Sequence, residues 1–436
     1  MSGYVSHTKA EIEEMLSLLG VSDAGELFRS IDDSIKIGPL NLEGGKSQQE
    51  VFSRLLSLAE KNKAYKTMLR GAGSYDHFIP SVVKSLASRS EFLTAYTPYQ
   101  AEISQGILQA IFEYQTYITL LTGMDVSNAS HYSGFTAAAE AALMTNSAQR
   151  DTLIFPDNLN PDLYKVLKTY LEPRGVKITL LPTKDGLIDL DTLKNMDGSG
   201  VCAVIIGQPN YFGLIEDMEA VANAAHAMGA KLIAYVNPTA MGLLKTPGEC
   251  GADIAVGDAQ PLGLPLNFGG PYVGFMACKA ADVRKLPGRI VGETTDRDGN
   301  KAYVLTLQAR EQHIRRERAS SNICSNQAHC ALTVTIYLAA MGSKGLRAVA
   351  QSCVDNAHYL SDCLESIGLK RKHNGEFFHE FVTLTNGKSD VIEKALSEKG
   401  ILSGLKISDN EMLWCATEKA SKKSIDEAVE IIKACL

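Results

Sequence analysis

The sequence has 436 residues, of which 45% are hydrophobic and 21% charged, and its net charge is −7 at pH 7. This length is too great for one ordinary domain, and the composition excludes a disordered or fibrous protein. The negative charge gives no general electrostatic reason to bind nucleic acid or an anionic membrane.

Nine cysteines are scattered through apolar segments, with no C-x-x-C pair and no spacing typical of zinc ligands. The sequence has no run of 18 apolar residues. Its first residues also lack the charged, apolar and small-residue succession of a signal peptide. We therefore expect reduced thiols, no membrane segment and a cytoplasmic location.

The first part of the chain has a helical pattern. Thr8 to Glu11 form a capping box ahead of apolar residues at helical spacing. A second helix is predicted from Gln105 to a C-terminal glycine, Gly123. Residues 1–90 are predicted to form an N-terminal helical segment.

Short β-branched strands alternate with helical segments between residues 130 and 280. The predicted strands begin at Thr152, Lys177, Val201, Lys231, Asp253 and Tyr272. This alternation indicates βαβ units and a mainly parallel sheet that is covered on both faces. Residues 91–342 are predicted to form a large α/β domain, and residues 343–436 a smaller α+β domain that begins with a long helix.

The segment from Ile254 to Phe275 reads as a strand, a turn and a glycine hairpin, and it contains no lysine. This layout is typical of the aminotransferase-like (fold type I) pyridoxal phosphate (PLP) enzymes, where it presents the lysine that forms an imine with PLP. Gln260 stands at that position. Asn237, after a preceding strand, stands where the pyridine nitrogen usually meets an aspartate. Since an amide cannot form an imine, the pattern indicates a PLP scaffold without its nucleophile.

Ser133 to Thr136 form a small-residue turn ahead of an alanine-rich helix. Free backbone N–H groups and the helix dipole favour an anion at such a turn, and PLP enzymes of this class bind the cofactor phosphate at a similar one. The alternative is an ordinary capped helix, which the spacing alone favours.

Other patterns have simpler interpretations. The glycines of Gly71 to Asp76 lack a preceding strand and a third glycine, so they are not a dinucleotide fingerprint. Residues 308–318 mix arginine with glutamate, which is typical of a solvated helix face. No metal-ligand spacing links the histidines His77, His131, His313 and His329.

Six long segments together are far more specific than a short motif. They are Gly71–Val83, Phe92–Thr116, Gly123–Ser130, Gln208–Asp217, Phe268–Phe275 and Leu305–Cys324. On these segments the chain resembles, over essentially its full length, the P-protein family of the glycine cleavage system, and in particular the α chains (subunit 1) of its two-chain form.

The resemblance implies an α2β2 enzyme in which a paralogous β subunit carries the lysine and PLP. Such an enzyme decarboxylates glycine and passes the aminomethyl group to the lipoyl group of a carrier, the H-protein. The resemblance implies no catalytic residue in the α chain. The family commonly has an aspartate within the segment 131–134, where this chain has Ser133, and this difference weakens the case for ligand binding in its own pocket.

We expect this chain to lend groups to the PLP site of the β subunit. The candidates are Tyr96, Thr97, Tyr99, Asn267, Gly269 and Gly270, with Arg70 and His77 as weaker ones. Packing within the chain is the alternative role for each of them.

Two other readings remain open at the level of the sequence. The chain could be an inert homodimeric scaffold or regulatory protein that kept the fold and lost the chemistry. It could also be an independent PLP enzyme that uses another lysine, such as Lys245 or Lys279.

Overall fold

The computed structural model describes residues 6–38, 40–267 and 269–436. The α-helices are Lys9–Leu18 (α1), Gln48–Ala59 (α2), Ser81–Ala87 (α3), Ser90–Leu93 (α4), Gln105–Thr122 (α5), Gly134–Thr145 (α6), Pro161–Leu171 (α7), Leu190–Asn195 (α8), Met218–Ala227 (α9), Gln312–Arg315 (α10), Ala328–Ser366 (α11), Ser389–Glu398 (α12) and Lys422–Lys433 (α13). Within the described ranges, no helix is both long enough and apolar enough to span a membrane.

The described residues also form β-strands. They are Thr67–Met68 (β1), Val126–Ser127 (β2), Thr152–Pro156 (β3), Lys177–Leu181 (β4), Thr183–Lys184 (β5), Leu187–Ile188 (β6), Val201–Gln208 (β7), Lys231–Val236 (β8), Ile254–Asp258 (β9), Gly274–Cys278 (β10), Ile290–Thr295 (β11), Lys301–Thr306 (β12), Glu380–Leu384 (β13), Ile401–Leu402 (β14), Leu405–Ser408 (β15) and Glu411–Cys415 (β16).

The chain divides into two compact units, Met1–Lys63 and Ala64–Leu436. The first unit contains α1 and α2. The side chain of Thr8 caps α1 and Glu11 completes the capping box, so the helix predicted there is confirmed.

The helical run predicted to reach residue 90 is interrupted in the second unit. The short strand β1 is extended there and pairs in parallel with β14. The prediction failed at this point because a two-residue strand depends on a distant partner that no local periodicity reveals. The domain limits at residues 90 and 342 stay a prediction.

A seven-stranded sheet forms the centre of the second unit, in the order β2-β10-β9-β8-β7-β3-β4. The strands β9, β8, β7, β3 and β4 run parallel to one another, whereas β10 pairs antiparallel with both β9 and β2. All eight residues of β7 are buried, as expected for a central strand covered on both faces. The predicted α/β fold with a mainly parallel sheet is confirmed.

The carboxyl ends of β8 and β9 lie side by side, because these neighbouring strands are parallel. Asn237 follows β8 and Gln260 follows β9, so both lie at the same edge of the sheet. The helix α6 begins at this edge as well. A Cβ atom on Gly134, its first residue, would lie 2.7 Å from Asp258 N. In open α/β sheets ligands bind outside this edge.

The C-terminal part combines a long helix with a second sheet. As predicted, a helix follows Gly342, although α11 begins before it and has a non-helical φ of 59° at that glycine. The antiparallel sheet has the order β13-β16-β15, and Trp414 in it is fully buried. Its Nε1 donates a hydrogen bond to Thr383 Oγ1 at 2.8 Å.

Residues 308–318 do not form the continuous helix face that the charge pattern predicts. The segment is a series of short helical turns, and Arg316 has a φ of 54° and a ψ of −124°. This left-handed backbone ends α10, because it breaks the i→i+4 hydrogen bonds of a helix. The charges do not signal such a break.

Gly213 lies where the approach of two chain segments leaves no room for a side chain. Its φ is +86°, and a Cβ atom would collide with the carbonyl oxygen of Glu380. Gly213→Ala should therefore lower the free energy of unfolding by at least about 3 kcal/mol in urea denaturation. Gly175 has a φ of +74° but open space around a Cβ atom, so Gly175→Ala should cost only about 1 kcal/mol. Equal losses would contradict the steric account.

Candidate functional site

Gln260, at the position predicted for the lysine, is buried and bonded within the chain. Its Oε1 accepts a hydrogen bond from Tyr75 N at 2.8 Å. Its Nε2 donates to Tyr75 O and to Leu264 O, each at 2.9 Å. Both N–H donors and the oxygen of the carboxamide are therefore used. The side chain fastens the segment around Tyr75 to the carboxyl edge of the sheet.

Asn237, at the position predicted for the pyridine aspartate, belongs to the same group of side chains. Its Oδ1 accepts a hydrogen bond from Thr239 N at 2.9 Å, as is typical of an asparagine in a turn. Its Nδ2 lies 3.3 Å from His379 Nε2. The ring of His379 contacts that of Tyr75, with 4.6 Å between their centroids. The structure thus brings the two predicted positions together through Tyr75 and His379.

Glu380 completes this network from the start of β13. It accepts hydrogen bonds from Tyr75 Oη at 2.7 Å and from Ala72 N at 2.6 Å. Burial raises the pKa of Glu380 to about 7, although the two hydrogen bonds act in the opposite direction. Burial also holds the pKa of His379 well below its usual value, so the histidine is neutral. The network is a buried polar layer above the sheet edge.

The amino end of α6, the candidate anion site, is occupied by a carboxylate of the chain itself. Ser133 and Thr136 form the capping box, and Gly134 N donates to Asp258 Oδ2 at 2.9 Å. Gln260 N donates to Asp258 Oδ1, also at 2.9 Å. Burial raises the pKa of Asp258 to about 6, against the effect of these backbone hydrogen bonds. The carboxylate uses a donor that a phosphate would need, and its charge would repel one.

A cavity of about 50 Å³ remains beside this network, with Phe135, Tyr235 and Glu380 among its lining residues. Pockets for small-molecule ligands are typically about 300 to 1,000 Å³. Outside the lining of the cavity, Gln260 stands at the position of the lysine and bonds Tyr75, and Asp258 lies at the amino end of α6. Neither the volume of the cavity nor these groups fit PLP.

Neither of the two alternative lysines lines the small cavity. Lys279 follows β10, whose last residue pairs with the first residue of β9, so it lies at the opposite edge of the sheet from Gln260. Its Nζ donates to Gly251 O at 3.4 Å. Lys245 is exposed and pairs with Glu219 at 3.7 Å. The geometry therefore disfavours an imine on Lys279 within this pocket.

A second region of the unit, separate from the buried polar layer, contains Tyr96, Thr97 and Tyr99. Tyr96 and Thr97 line a cavity of about 400 Å³ between the segment after α4, the helix α5 and the start of α11. Tyr96 is 86% exposed. Tyr99 Oη accepts a hydrogen bond from Arg289 Nη2 at 3.1 Å. This cavity, in contrast to the small one, has room for a ligand.

Asn267, Gly269 and Gly270 lie in the loop between β9 and β10, and they are not among the residues that line the larger cavity. Gly270 N donates to Asn267 O at 3.2 Å. Gly269 and Gly270 have φ values of 105° and 130°, which favour glycine. Phe268, the first residue of one motif of the family resemblance, lies outside the described residues.

Arg70 and His77, the weaker candidates, are engaged within the chain. Arg70 Nη2 lies 2.8 Å from Glu393 Oε1 and donates to Gly404 O at 3.1 Å. His77 Nδ1 lies 2.7 Å from Glu418 Oε2. These contacts favour packing roles for both.

The sequence did not point to four residues that the structure makes prominent. They are Asp258, His379, Glu380 and Arg289. Asp258 could have been found from the sequence, because it is an acidic residue at the end of a predicted strand. The others meet their partners only through contacts between residues far apart in sequence, such as Tyr75 with Glu380.

Comparison with known proteins agrees with this architecture. A family model described as the glycine cleavage system P-protein matches residues 2–432. The chain belongs to this P-protein family. It is 49% identical over 442 residues to a probable glycine dehydrogenase (decarboxylating) subunit 1 of Moorella thermoacetica, with 99% of each chain covered. The protein of the same name from Desulfitobacterium hafniense is 48% identical over 437 residues, with 98% of each covered.

Solved structures support the P-protein assignment and the fold. A crystal structure of glycine decarboxylase (P-protein) of the glycine cleavage system, in inhibitor-bound form, matches with a TM-score of 0.93, 41% identity and 100% of both chains covered. Sphingosine-1-phosphate lyase of Burkholderia pseudomallei has a TM-score of 0.67 at 14% identity, covering 92% of this chain and 93% of its own. At that identity the likeness shows the fold alone. The chain has the predicted fold of type I PLP enzymes.

Glu380 should make the stability of this P-protein chain depend on pH. Since its pKa is raised above the ordinary value of 4.5 to about 7, the folded chain binds more protons than the unfolded chain between these values. The contribution of Glu380 to stability should fall as pH rises from 5 to 8, by on the order of 2 kcal/mol. Urea denaturation from pH 5 to 8 should show a smaller decline in the free energy of unfolding for Glu380→Gln than for the unaltered chain.

The exposed Glu427 on α13 supplies the matched control, because Glu427→Gln leaves the buried layer unchanged. Its stability should follow that of the unaltered chain at each pH. A Glu380→Gln variant with the same pH dependence as the unaltered chain would contradict a raised pKa at Glu380.

Proposed function

We propose that this chain is the subunit of a two-chain glycine decarboxylase that does not carry PLP, and that it completes the PLP site of a paralogous β subunit. In this proposal the two chains form an α2β2 assembly. The assembly decarboxylates glycine through PLP and transfers the aminomethyl group to the lipoyl group of H-protein. The catalytic lysine belongs to the β subunit.

One observation carries the proposal: side chains of the chain occupy the positions at which a type I PLP enzyme would hold the lysine and the cofactor phosphate. Gln260 bonds the backbone of Tyr75, and Asp258 accepts a hydrogen bond from Gly134 N. The relatives reported above are named probable glycine dehydrogenase (decarboxylating) subunit 1. A subunit of such an enzyme that cannot seat PLP itself requires a partner that can. The name "subunit 1" agrees with such a partner.

The larger cavity supports a role at the partner's site. Tyr96 is a large aromatic side chain exposed to solvent in the separate chain, and Leu93 beside it is 58% exposed. Exposed aromatic and apolar groups around a cavity are typical of surfaces that meet another protein. In the proposal, Tyr96, Thr97 and Tyr99 face the ligand there, and the loop of Asn267, Gly269 and Gly270 approaches the neighbouring chain.

The exchange of glycine carboxyl carbon with bicarbonate tests the proposal, with H-protein present. The chain should be inactive alone, the β subunit alone should be inactive or weakly active, and the mixture should be active. Activity of this chain alone with PLP would contradict the proposal. A stable homodimer that neither binds the β subunit nor changes its activity would favour an inert scaffold instead.

Two tyrosine hydroxyls should matter to the assembled enzyme. We expect Tyr96→Phe and Tyr99→Phe each to lower kcat/KM for glycine about tenfold or more, since each removes a polar contact from the shared site. The control is Tyr359→Phe, which removes a hydroxyl that bonds Asp426 on α13. Unchanged kcat/KM in both site variants, with assembly intact, would rule out the contribution assigned to this segment.

A further inference from the structure

Arg289 is a buried cation in the wall of the larger cavity. It directly precedes β11, and only 4% of it is exposed. It lines the cavity together with Tyr96 and Thr97. The remainder of the wall is mainly apolar and includes Ile107, Ile111, Tyr114 and Leu332. The site therefore combines one positive charge with a hydrophobic surface.

The guanidinium of Arg289 has five N–H donors but donates to only two acceptors within the described residues. Its Nη2 donates to Tyr99 Oη at 3.1 Å, and its Nη1 donates to Asn326 Oδ1 at 3.4 Å. Its Nε is buried without a partner in the described part of the chain. The ring of Tyr99 lies 5.0 Å from the guanidinium carbon. Each of these contacts is to a neutral group, so none of them balances the charge.

Two other arginines of the unit each have a shorter hydrogen bond than Arg289 has. Arg70 pairs with the carboxylate of Glu393, and Arg150 donates to the carbonyl oxygens of Val201 and Met228. Across residues 6–38, 40–267 and 269–436, no carboxylate forms an ion pair with Arg289 within 4.0 Å.

Among the described residues, Glu311 is linked to this arrangement only through His313. Glu311 is buried and lies 3.9 Å from His313, whose ring contacts Tyr99 from its edge. A buried cation without an anion is unfavourable, because burial removes its hydration and nothing replaces it. Such a group is typical of a site in which a ligand supplies the opposite charge.

We propose that Arg289 binds an oxyanion of a small ligand in this cavity. The planar guanidinium suits a carboxylate or a phosphate, because it can donate two parallel hydrogen bonds to either group. Thr97 and Tyr96 supply hydroxyl groups, and Ile107 and Ile111 contact the carbon atoms of the ligand. The identity of the ligand rests on the proposed function: the oxyanion is then the phosphate of PLP or the carboxylate of glycine.

Paired ligands that differ by the oxyanion distinguish these two sources. In the assembled complex, PLP is compared with pyridoxal, which lacks the phosphate, and glycine with methylamine, which lacks the carboxylate. Dissociation constants are measured by absorbance titration for the unaltered complex, Arg289→Gln and Arg289→Lys. Arg297→Gln serves as the control, because Arg297 is 93% exposed in the hairpin that follows.

Arg289→Gln should raise the dissociation constant of either PLP or glycine about 10- to 100-fold. The dissociation constant of the matching ligand without the oxyanion, pyridoxal or methylamine, should not change. A loss confined to PLP assigns the phosphate, and a loss confined to glycine assigns the carboxylate. The dissociation constant for Arg289→Lys should lie between those of Arg289→Gln and the unaltered complex, because lysine keeps the charge without the planar guanidinium. An intact complex in which all four ligands bind as before would overturn the proposal.

Sedimentation of the unaltered chains separates this inference from the proposed function. If the two chains do not assemble, the proposed function fails, and the oxyanion site is judged on this chain alone with inorganic phosphate. The unfolding midpoint should then be higher in phosphate than in chloride of equal ionic strength, both for the unaltered chain and for Arg297→Gln. An equal rise in Arg289→Gln would overturn the site.

Discussion

The buried carboxamide of Gln260 is the contact on which the arrangement of this site depends. It joins the turn after β9 to the backbone of Tyr75, and Tyr75 in turn holds Glu380 and contacts His379. Removing the carboxamide would leave buried backbone groups of Tyr75 unsatisfied, a cost of roughly 1 to 3 kcal/mol for each group. A lysine could not replace it, because an ammonium group has no acceptor for the N–H of Tyr75.

The second constraint is electrostatic. The amino end of α6 offers a donor and a partial positive charge, and Asp258 supplies the negative charge inside the chain. Type I PLP enzymes place the cofactor phosphate at a similar helix terminus. The same scaffold therefore serves here as a closed structural element, while the open cavity beside Tyr96 and Arg289 faces solvent. This arrangement agrees with the proposed subunit that works through a partner.

The sheet could be predicted from sequence because its strands are continuous apolar runs separated by helices, and β7 shows this most clearly. The positions of Gln260 and Asn237 followed from the strands that precede them. The contacts of these residues did not follow, since Tyr75 and Gln260 are 185 residues apart. Arg316 shows a second limit of prediction from sequence. Its positive φ ends the helix that the charge pattern predicts, and the charges do not indicate this backbone conformation.

The most direct measurement is the number of PLP molecules per αβ pair, with the chain that holds each one identified by borohydride reduction and peptide mass. The account predicts one PLP per pair, fixed to a lysine of the β subunit, with none on the chain that carries Gln260. Two PLP molecules per pair, or a reduced adduct on any lysine of this chain, would contradict it.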